Sequence, residues 1–155
     1  MLTYDLIVIG FGKAGKTLAA KMATQGKKVA LIERSKAMYG GTCINIACIP
    51  TKTLLVAAEK GLSFEEVMAE KNAVISRLNG KNYAAISSAG VDIIDAEAHF
   101  LSNKVIEIVA GDEKQEITAE NIVINTGAIS NILPIPGLTT TKNVYDSTGI
   151  QNLST

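Results

Sequence analysis

The sequence has no tryptophan and only two cysteines, one histidine and three prolines among its 155 residues. Aromatic residues make up 5% of the chain, so a nucleic-acid surface built on base stacking has few rings to use. Fifteen basic and fifteen acidic side chains cancel, which removes the net positive field that gathers nucleic acids or anionic membranes. Two cysteines and one histidine are also too few ligands for a structural zinc site.

Targeting signals and long apolar runs are absent as well. The first residues, MLTYD, lack the basic start and the small-residue cleavage site of a signal peptide. No apolar run approaches the length of a membrane span. With 47% hydrophobic and 19% charged residues, the composition is typical of a globular domain with a real core. We therefore expect one cytoplasmic domain that binds neither nucleic acid nor membrane, and in that compartment a purely structural disulfide would be unusual.

The first third of the chain predicts a strand, a helix and a second strand. Residues 6–9 and 29–32 are short, fully apolar runs, which are typical of strands buried on both faces of a parallel sheet. Residues 14–25 have helical spacing, and Gly26 ends that helix. The three elements form a βαβ unit, whose crossover is expected to be right-handed.

The rest of the chain predicts two helices and then short strands. One helix runs from about residue 48 to 60, and a longer one from 63 to 88, with Gly80 as a possible interruption or kink. The longer helix begins with a capping box formed by Ser63 and Glu66. Strands are predicted at 91–94, 104–109, 115–118 and 121–125.

The strand pattern sets the expected architecture. Residues 105–109 fit a small antiparallel meander with one wet side, whereas the apolar run 122–124 is expected to rejoin the parallel sheet. From Pro134 onward the chain is predicted to be a surface loop. The fold class is therefore α/β: a Rossmann-like domain with a parallel sheet, flanking helices and a small antiparallel meander.

The loop after the first strand carries a dinucleotide-binding motif. Residues 10–15 read GFGKAG, which matches G-x-G-x-x-G between a buried strand and a helix. The glycines allow a tight turn, approach of the backbone to a pyrophosphate, and close packing of helix on strand. Glu33, at the end of the second strand, is placed to accept hydrogen bonds from ribose hydroxyls.

The same residues also match a phosphate-binding P-loop. Gly10 to Thr17 satisfies G-x-x-x-x-G-K-T, so a P-loop nucleotide-binding module is the alternative. Glu33 and Gly12 favour the dinucleotide motif, and Asp95 is only a weak candidate for a magnesium-binding aspartate. In the dinucleotide interpretation Lys16 is a solvated lysine and Thr17 an ordinary first-turn threonine.

Both cysteines lie in residues 40–52, which read GGTCINIACIPTK. In one regular helix, Cys43 and Cys48 would have Cα atoms ~8–9 Å apart, beyond the ~7 Å that a disulfide tolerates. Two glycines, β-branched residues and Pro50 make a regular helix between them unfavourable. We therefore predict that Cys43 lies on a distorted turn, that a regular helix starts near Cys48, and that the two form a redox-active pair. Lys52, one turn after Cys48, would favour a thiolate.

This combination resembles the class I pyridine nucleotide–disulfide oxidoreductases, which include dihydrolipoamide dehydrogenase, glutathione reductase and mercuric reductase. The resemblance covers essentially the whole chain, and residues 37–46 are most similar to the reactive-chlorine-resistance branch. It implies that FAD passes two electrons from NAD(P)H to the disulfide, with Cys48 next to the flavin, Cys43 attacking the substrate and Lys52 near the reactive flavin nitrogen. One departure is Ala47, where the family usually has glycine.

The resemblance also implies a set of residues that contact FAD. They are Gly10, Gly12, Lys13, Ala14, Gly15, Glu33, Arg34, Gly41, Thr42, Cys48, Lys52, Ala98, Thr126, Gly127 and Ala128. His99 is expected to be structural, since it lies in a strand-like stretch far from the cysteines.

Family members are about three times longer, so the resemblance implies that residues 1–155 are the N-terminal part of an FAD-binding domain. The NAD(P)H-binding and dimerisation domains of a homodimeric parent would follow, and we expect this chain alone to be inactive. The parent's substrate would be a small disulfide, a metal ion or an oxidant. Besides the P-loop module, a non-catalytic binding domain with inert cysteines stays open.

Overall fold

The computed structural model describes residues 1–153, which form one six-stranded sheet with helices packed against it. The strands are β1 (Leu2–Ile9), β2 (Val29–Glu33), β3 (Asp92–Asp95), β4 (Glu97–Phe100), β5 (Val105–Ala110) and β6 (Glu113–Ile124). The helices are α1 (Lys13–Thr24), α2 (Thr42–Asn45), α3 (Cys48–Glu59) and α4 (Phe64–Ser88), and short 3₁₀ turns span Lys36–Met38 and Ile150–Asn152. Over the described residues, no helix has both the length and the hydropathy that crossing a bilayer requires.

The sheet has a parallel half and an antiparallel half, as the strand patterns predict. Its strand order is β3-β2-β1-β6-β5-β4, with β3, β2, β1 and β6 parallel to one another. Strands β4, β5 and the first part of β6 form the antiparallel meander. The carboxyl ends of β1, β2 and β6 therefore lie together at one edge, where ligands bind in open α/β sheets.

Three details of the strands differ from the sequence-based prediction. The predicted strands at 115–118 and 121–125 are one strand, β6, because β1 pairs with it from Ile117 to Ile124, including Tyr4 opposite Ala119. Tertiary pairing thus overrides the weak strand propensity of Ala119 and Glu120. Strand β4 was not predicted, and β1 begins at Leu2 rather than at residue 6.

The core lies on both faces of the parallel strands. Alternate residues of β2 point to opposite sides, so Ala30 and Ile32 join one apolar cluster while Val29 and Leu31 join the other. All four are at most 1% exposed. This two-sided burial explains why the strand is apolar from Val29 to Ile32, with the charged Glu33 only at its end.

The start of α4 confirms the predicted capping box. The Glu66 backbone N–H donates to Ser63 Oγ at 3.3 Å, and the Ser63 backbone N–H donates to Glu66 Oε2 at 2.8 Å. The expected interruption at Gly80 is absent, since α4 is continuous through that residue. Packing of a long helix tolerates one glycine in its interior, which lowers helix propensity without breaking the helix.

We predict that Gly80→Ala stabilises the protein. Gly80 is exposed, has ordinary helical geometry, and an added Cβ would meet no atom within 4 Å. Alanine should raise the free energy of unfolding by about 0.5–1 kcal/mol by restricting the unfolded chain. Urea denaturation followed by circular dichroism measures the change, and a loss of stability would show that α4 needs flexibility at this point.

Candidate functional site

The glycine turn after β1 packs tightly on the end of β6. Gly10 has φ +102°, and a Cβ there would lie 2.8 Å from the Asn125 carbonyl carbon and closer still to its oxygen. A Cβ on Gly12 or Gly15 would lie 2.8 or 2.6 Å from Asn125 Nδ2. The same Nδ2 donates to the Gly10 carbonyl at 3.0 Å. All three glycines therefore pack closely against Asn125, a residue that the sequence analysis did not single out.

The N-terminus of α1 offers free backbone donors to an anion. Its N-cap is Gly12, which has no side chain to satisfy the first N–H groups, and the first turn holds no acidic residue. Lys13 and Ala14 are exposed in that turn. Because these N–H groups carry the positive end of the helix dipole, the turn fits a phosphate or pyrophosphate.

The Glu33 carboxylate fixes the glycine turn through hydrogen bonds to the backbone. Its Oε2 accepts the Phe11 backbone N–H at 2.9 Å, and its Oε1 accepts the Ser35 backbone N–H at 3.1 Å. A carboxylate oxygen has more than one acceptor site, so these bonds leave capacity for a ribose hydroxyl. Glu33 thus has a structural function that its position in the motif did not predict.

A cleft of about 430 Å³ opens at the carboxyl edge of the sheet. Of the predicted site residues, those that line it are Gly10, Glu33, Arg34, Ala98, Thr126, Gly127 and Ala128. The cleft also has Ile9, Ile32 and Ala96 in its wall, which give it an apolar side. A cleft with an apolar wall and the Glu33 carboxylate in its lining suits the adenosine half of a dinucleotide.

Beyond this cleft the remaining predicted residues continue towards the cysteines. Gly127 has φ +74°, and the nearest atom to a Cβ placed there is Thr42 Oγ1 at 3.9 Å, so the space over its backbone is open. Thr42 begins α2, one residue before Cys43. The predicted residues thus follow one path from the cleft past the glycine turn to the cysteine pair, as an extended dinucleotide requires.

The cysteine segment lies directly on the glycine turn. Gly41 has φ +76°, and a Cβ at this position would lie 2.7 Å from the Gly12 Cα. Glycine is needed at position 41 because its backbone has a positive φ and lies too close to the Gly12 backbone for a side chain. This contact brings α2, which carries Cys43, to the N-terminus of α1.

The chain between the two cysteines is not a regular helix, as the spacing predicts. Helix α2 ends at Asn45, Ile46 and Ala47 have non-helical φ angles of −139° and −137°, and α3 begins at Cys48. Both cysteines are exposed free thiols. Hydrogen bonding with Cys48 raises the pKa of the Cys43 thiol, and the Lys52 ammonium opposes the rise. Two neighbouring thiols can close a disulfide bond when an oxidant, such as another disulfide, accepts two electrons and two protons.

Lys16 departs from the sequence-based interpretation. It was expected to be solvated, but only 7% of it is exposed, and its ammonium group donates to Asn82 Oδ1 on α4. Burial lowers the pKa of Lys16, and the nearby charge of Lys13 adds to that decrease. Thr17, in contrast, is the ordinary exposed threonine that was predicted, with its hydroxyl donating to the Lys13 carbonyl at 2.7 Å.

A set of side-chain amides ties the cysteine segment to α4. Asn45 Nδ2 donates to the Tyr39 carbonyl at 3.1 Å and to the Gly41 carbonyl at 3.0 Å. Asn79 on α4 donates to the Ala37 carbonyl at 3.0 Å and to Asn45 Oδ1 at 3.3 Å. The sequence analysis did not identify these residues, because a single asparagine within a helix belongs to no recognisable motif. Their role follows only from what the fold places opposite them.

Tyr39 anchors the segment that precedes the cysteines. Its ring is buried, with centroids 4.9 Å from Phe11 and 5.1 Å from Tyr83, and its hydroxyl donates to Asp95. Burial and the Asp95 carboxylate raise the pKa of Tyr39 above its ordinary value, so it stays protonated. Asp95, the weak candidate for a magnesium ligand, is thereby occupied as an acceptor.

His99 lies on β4 and lines the wall of the cleft. It is exposed, and its Nε2 lies 3.7 Å from Glu97 Oε2. The expectation that it is a structural histidine does not describe this position well. It is a residue of the cleft wall, on a different strand from those that precede the glycine turn and Asn125.

Comparison with known proteins matches the chain to members of one family. The sequence profile of the family described as "Pyridine nucleotide-disulphide oxidoreductase" matches residues 4–154. The chain is 49% identical over 154 residues to the "Probable pyridine nucleotide-disulfide oxidoreductase RclA" of Escherichia coli strain K12, covering 99% of this chain and 35% of that protein. It is 32% identical to a dihydrolipoyl dehydrogenase of Staphylococcus aureus, with 96% and 35% covered, and 34% identical to a mercuric reductase of that species, with 87% and 27% covered.

Solved structures agree with the sequence matches. A Cu(II) complex of the HOCl-induced flavoprotein disulfide reductase RclA from E. coli superposes with a TM-score of 0.94 at 49% identity. That match covers 99% of this chain and 35% of the other. The chain thus spans about a third of the length of the relatives it matches. With the profile covering nearly every residue, the chain belongs to the pyridine nucleotide–disulfide oxidoreductase family.

Proposed function

We propose that this chain binds FAD and carries the redox-active dithiol of an NAD(P)H-dependent flavoprotein disulfide reductase. The observation that carries the proposal is the packing of the cysteine segment on the dinucleotide turn, with a Cβ on Gly41 falling 2.7 Å from the Gly12 Cα. The glycine turn and the cleft residues would hold a dinucleotide beside the segment that carries the two cysteines. The fit rests on residues present: a glycine cradle, free N–H groups on α1 and a carboxylate at the ribose position.

The chain's own chemistry is thiol–disulfide exchange. FAD, when bound, would supply two electrons from NAD(P)H. The Cys43 thiolate attacks one sulfur of a disulfide substrate and releases the other sulfur as a thiol. Cys48 then attacks Cys43, which releases the second thiol and leaves a Cys43–Cys48 bond. Lys52, whose charge acts on Cys43, stabilises the thiolate form.

The acceptor is proposed as a class rather than as one compound. The relatives include a dihydrolipoyl dehydrogenase, a mercuric reductase and an HOCl-induced flavoprotein disulfide reductase. The candidate electron acceptors are therefore a small disulfide, a metal ion or an oxidant. We also propose that the working protein is a homodimer in the cytoplasm, where a reversible rather than a structural disulfide is expected.

The P-loop alternative is disfavoured by the hydrogen-bond partners of Lys16 and Asp95. A P-loop lysine must reach the β- and γ-phosphates of its nucleotide. Lys16 instead is buried and bonded to Asn82, and Asp95 is bonded by Tyr39 and lies 3.4 Å from Lys36 Nζ. Neither residue is placed to hold a triphosphate and its magnesium.

Ligand-dependent melting tests the cofactor assignment. We expect FAD at saturating concentration to raise the melting temperature by several degrees, since a ligand at 100 times its Kd adds ~2.7 kcal/mol of stability. ATP with magnesium should leave it unchanged. Stabilisation by ATP and not by FAD would contradict the proposal and support the P-loop module.

Mild oxidation tests the dithiol separately. In a glutathione redox buffer, mass spectrometry should find a Cys43–Cys48 bridge, seen as the loss of two hydrogens and of both alkylation sites. Cys43→Ser is the control and should show no internal bridge. Cysteines that stay reduced, or that form only mixed disulfides with glutathione, would support the inert binding domain.

A further inference from the structure

Lys16 is a buried charge that the proposed chemistry has not used. Its side chain is 7% exposed, and buried lysines are rare unless they serve a partner. The acceptor that the structure gives it is the neutral Asn82 Oδ1. Asn82 is itself fixed, since its Nδ2 donates to the Leu78 carbonyl at 2.7 Å and so turns Oδ1 towards the ammonium. A neutral amide orients the lysine but does not neutralise it.

The fold places this charge behind the cysteine segment. The Lys16 backbone N–H bonds to the Gly12 carbonyl at 3.0 Å, so Lys16 lies one turn along α1 from the residue on which Gly41 packs. Asn82 touches the same segment, because a Cβ on Gly40 would lie 3.2 Å from its amide nitrogen. The ammonium is thus held between α1, α4 and the turn that carries Cys43.

The electrostatic interaction between Lys16 and Cys43 is attractive when Cys43 is a thiolate. The Cys43 charge raises the pKa of Lys16, against the decrease that burial and Lys13 cause. Such an interaction is mutual, so Lys16 favours the ionised form of Cys43 in return. Cys48 and Lys52, both from α3, shift the pKa of the Cys43 thiol, whereas the neutral amide of Asn82 on α4 bonds the Lys16 ammonium. Lys52 is exposed to solvent screening, but Lys16 is not.

We propose that Lys16 is a positioning residue for the redox pair: its buried ammonium, held by Asn82, orders the Cys43 turn and stabilises the Cys43 thiolate. Ionisation releases the Cys43 proton to solvent while Lys16 keeps its own. The inference deepens the proposed function, because it matters for turnover only if Cys43 is the attacking sulfur. Its test, however, needs neither FAD nor a substrate.

The test measures the reactivity of Cys43 against pH. In a Cys48→Ser background one thiol remains, and its rate of alkylation by iodoacetamide reports the thiolate fraction. Lys16→Met removes the charge but keeps an unbranched chain. We expect the rate at pH 7 to fall about three- to tenfold and the titration midpoint to move upward, since a shift of one pKa unit changes the thiolate fraction tenfold.

Lys21→Met is the matched control, because Lys21 is an exposed lysine on the same helix. It should leave both the rate and the midpoint unchanged. Asn82→Asp is a second variant, in case Lys16→Met does not fold. A carboxylate on the ammonium offsets its charge and should also move the midpoint upward. If folded Lys16→Met matches Lys21→Met, or if Asn82→Asp leaves the midpoint in place, the inference is wrong even where FAD binding and bridge formation succeed.

Discussion

Gly10→Ala is expected to destabilise the chain by about 3–4 kcal/mol and to abolish FAD binding. The left-handed conformation at φ +102° costs a non-glycine residue about 1–2 kcal/mol. The added Cβ would also overlap the Asn125 carbonyl group, and overpacking against backbone adds about 1–3 kcal/mol. The turn must then move off β6, and the N–H groups of α1 lose their alignment.

Gly26→Ala separates the two causes. Gly26 also has a positive φ, +83°, but a Cβ there meets no atom within 4 Å. It should therefore lose only the conformational contribution, about 1–2 kcal/mol, and keep FAD binding. Urea denaturation and FAD fluorescence titration measure both quantities. Equal losses in the two variants would show that the approach to Asn125 is not what requires glycine at position 10.

Glu33→Ala is expected to cost about 2–3 kcal/mol in stability and to weaken FAD affinity about tenfold or more. Truncation leaves the backbone N–H groups of Phe11 and Ser35 without their carboxylate, and an unsatisfied buried donor costs about 1–3 kcal/mol. The ribose hydroxyls would lose a charged acceptor at the same time, and 1.4 kcal/mol corresponds to a factor of ten in affinity. Chemical denaturation and equilibrium titration with FAD give the two numbers.

Two further variants make this result specific. Glu33→Gln keeps one carbonyl oxygen but presents its NH₂ group to the second amide, so its loss of stability should be intermediate. Glu120→Ala removes an exposed carboxylate on β6 and should change stability by less than about 0.5 kcal/mol. If Glu33→Ala melts like Glu120→Ala, the two backbone hydrogen bonds do not hold the turn.

The glycine turn shows how far local patterns reach. A buried apolar run, G-x-G-x-x-G and an acidic strand end are contiguous features, so the sequence predicted the βαβ unit and the anion-binding helix. It did not predict that Asn125, more than a hundred residues away, is the surface on which the glycines fit. Nothing local to Asn125 distinguishes it from any asparagine at a strand end.

The strands of the second half show the same limit. The apolar patterns located most of them, but Ala119 and Glu120 broke the pattern within what is one strand. Pairing with β1, which places Tyr4 opposite Ala119 and Leu6 opposite Asn121, continues the strand where local propensity does not. The parallel pairing of β3 with β2 likewise depends on the crossover through α2, α3 and α4.

What the sequence determined by itself is the chemistry and its spacing: glycines before a helix, a carboxylate one strand later, and two sulfurs separated by a segment that cannot be regular helix. These are determined locally, by steric limits and backbone geometry over a few residues. The tertiary structure decided which distant groups meet them. It buried Lys16 against Asn82, gave the Glu33 carboxylate two backbone amides as donors, and set Asn45, Asn79 and Asn82 against the segment that carries Cys43. Such pairings depend on packing between elements far apart in the chain. A polar side chain buried there must find a hydrogen-bond partner, and that partner determines what the side chain does.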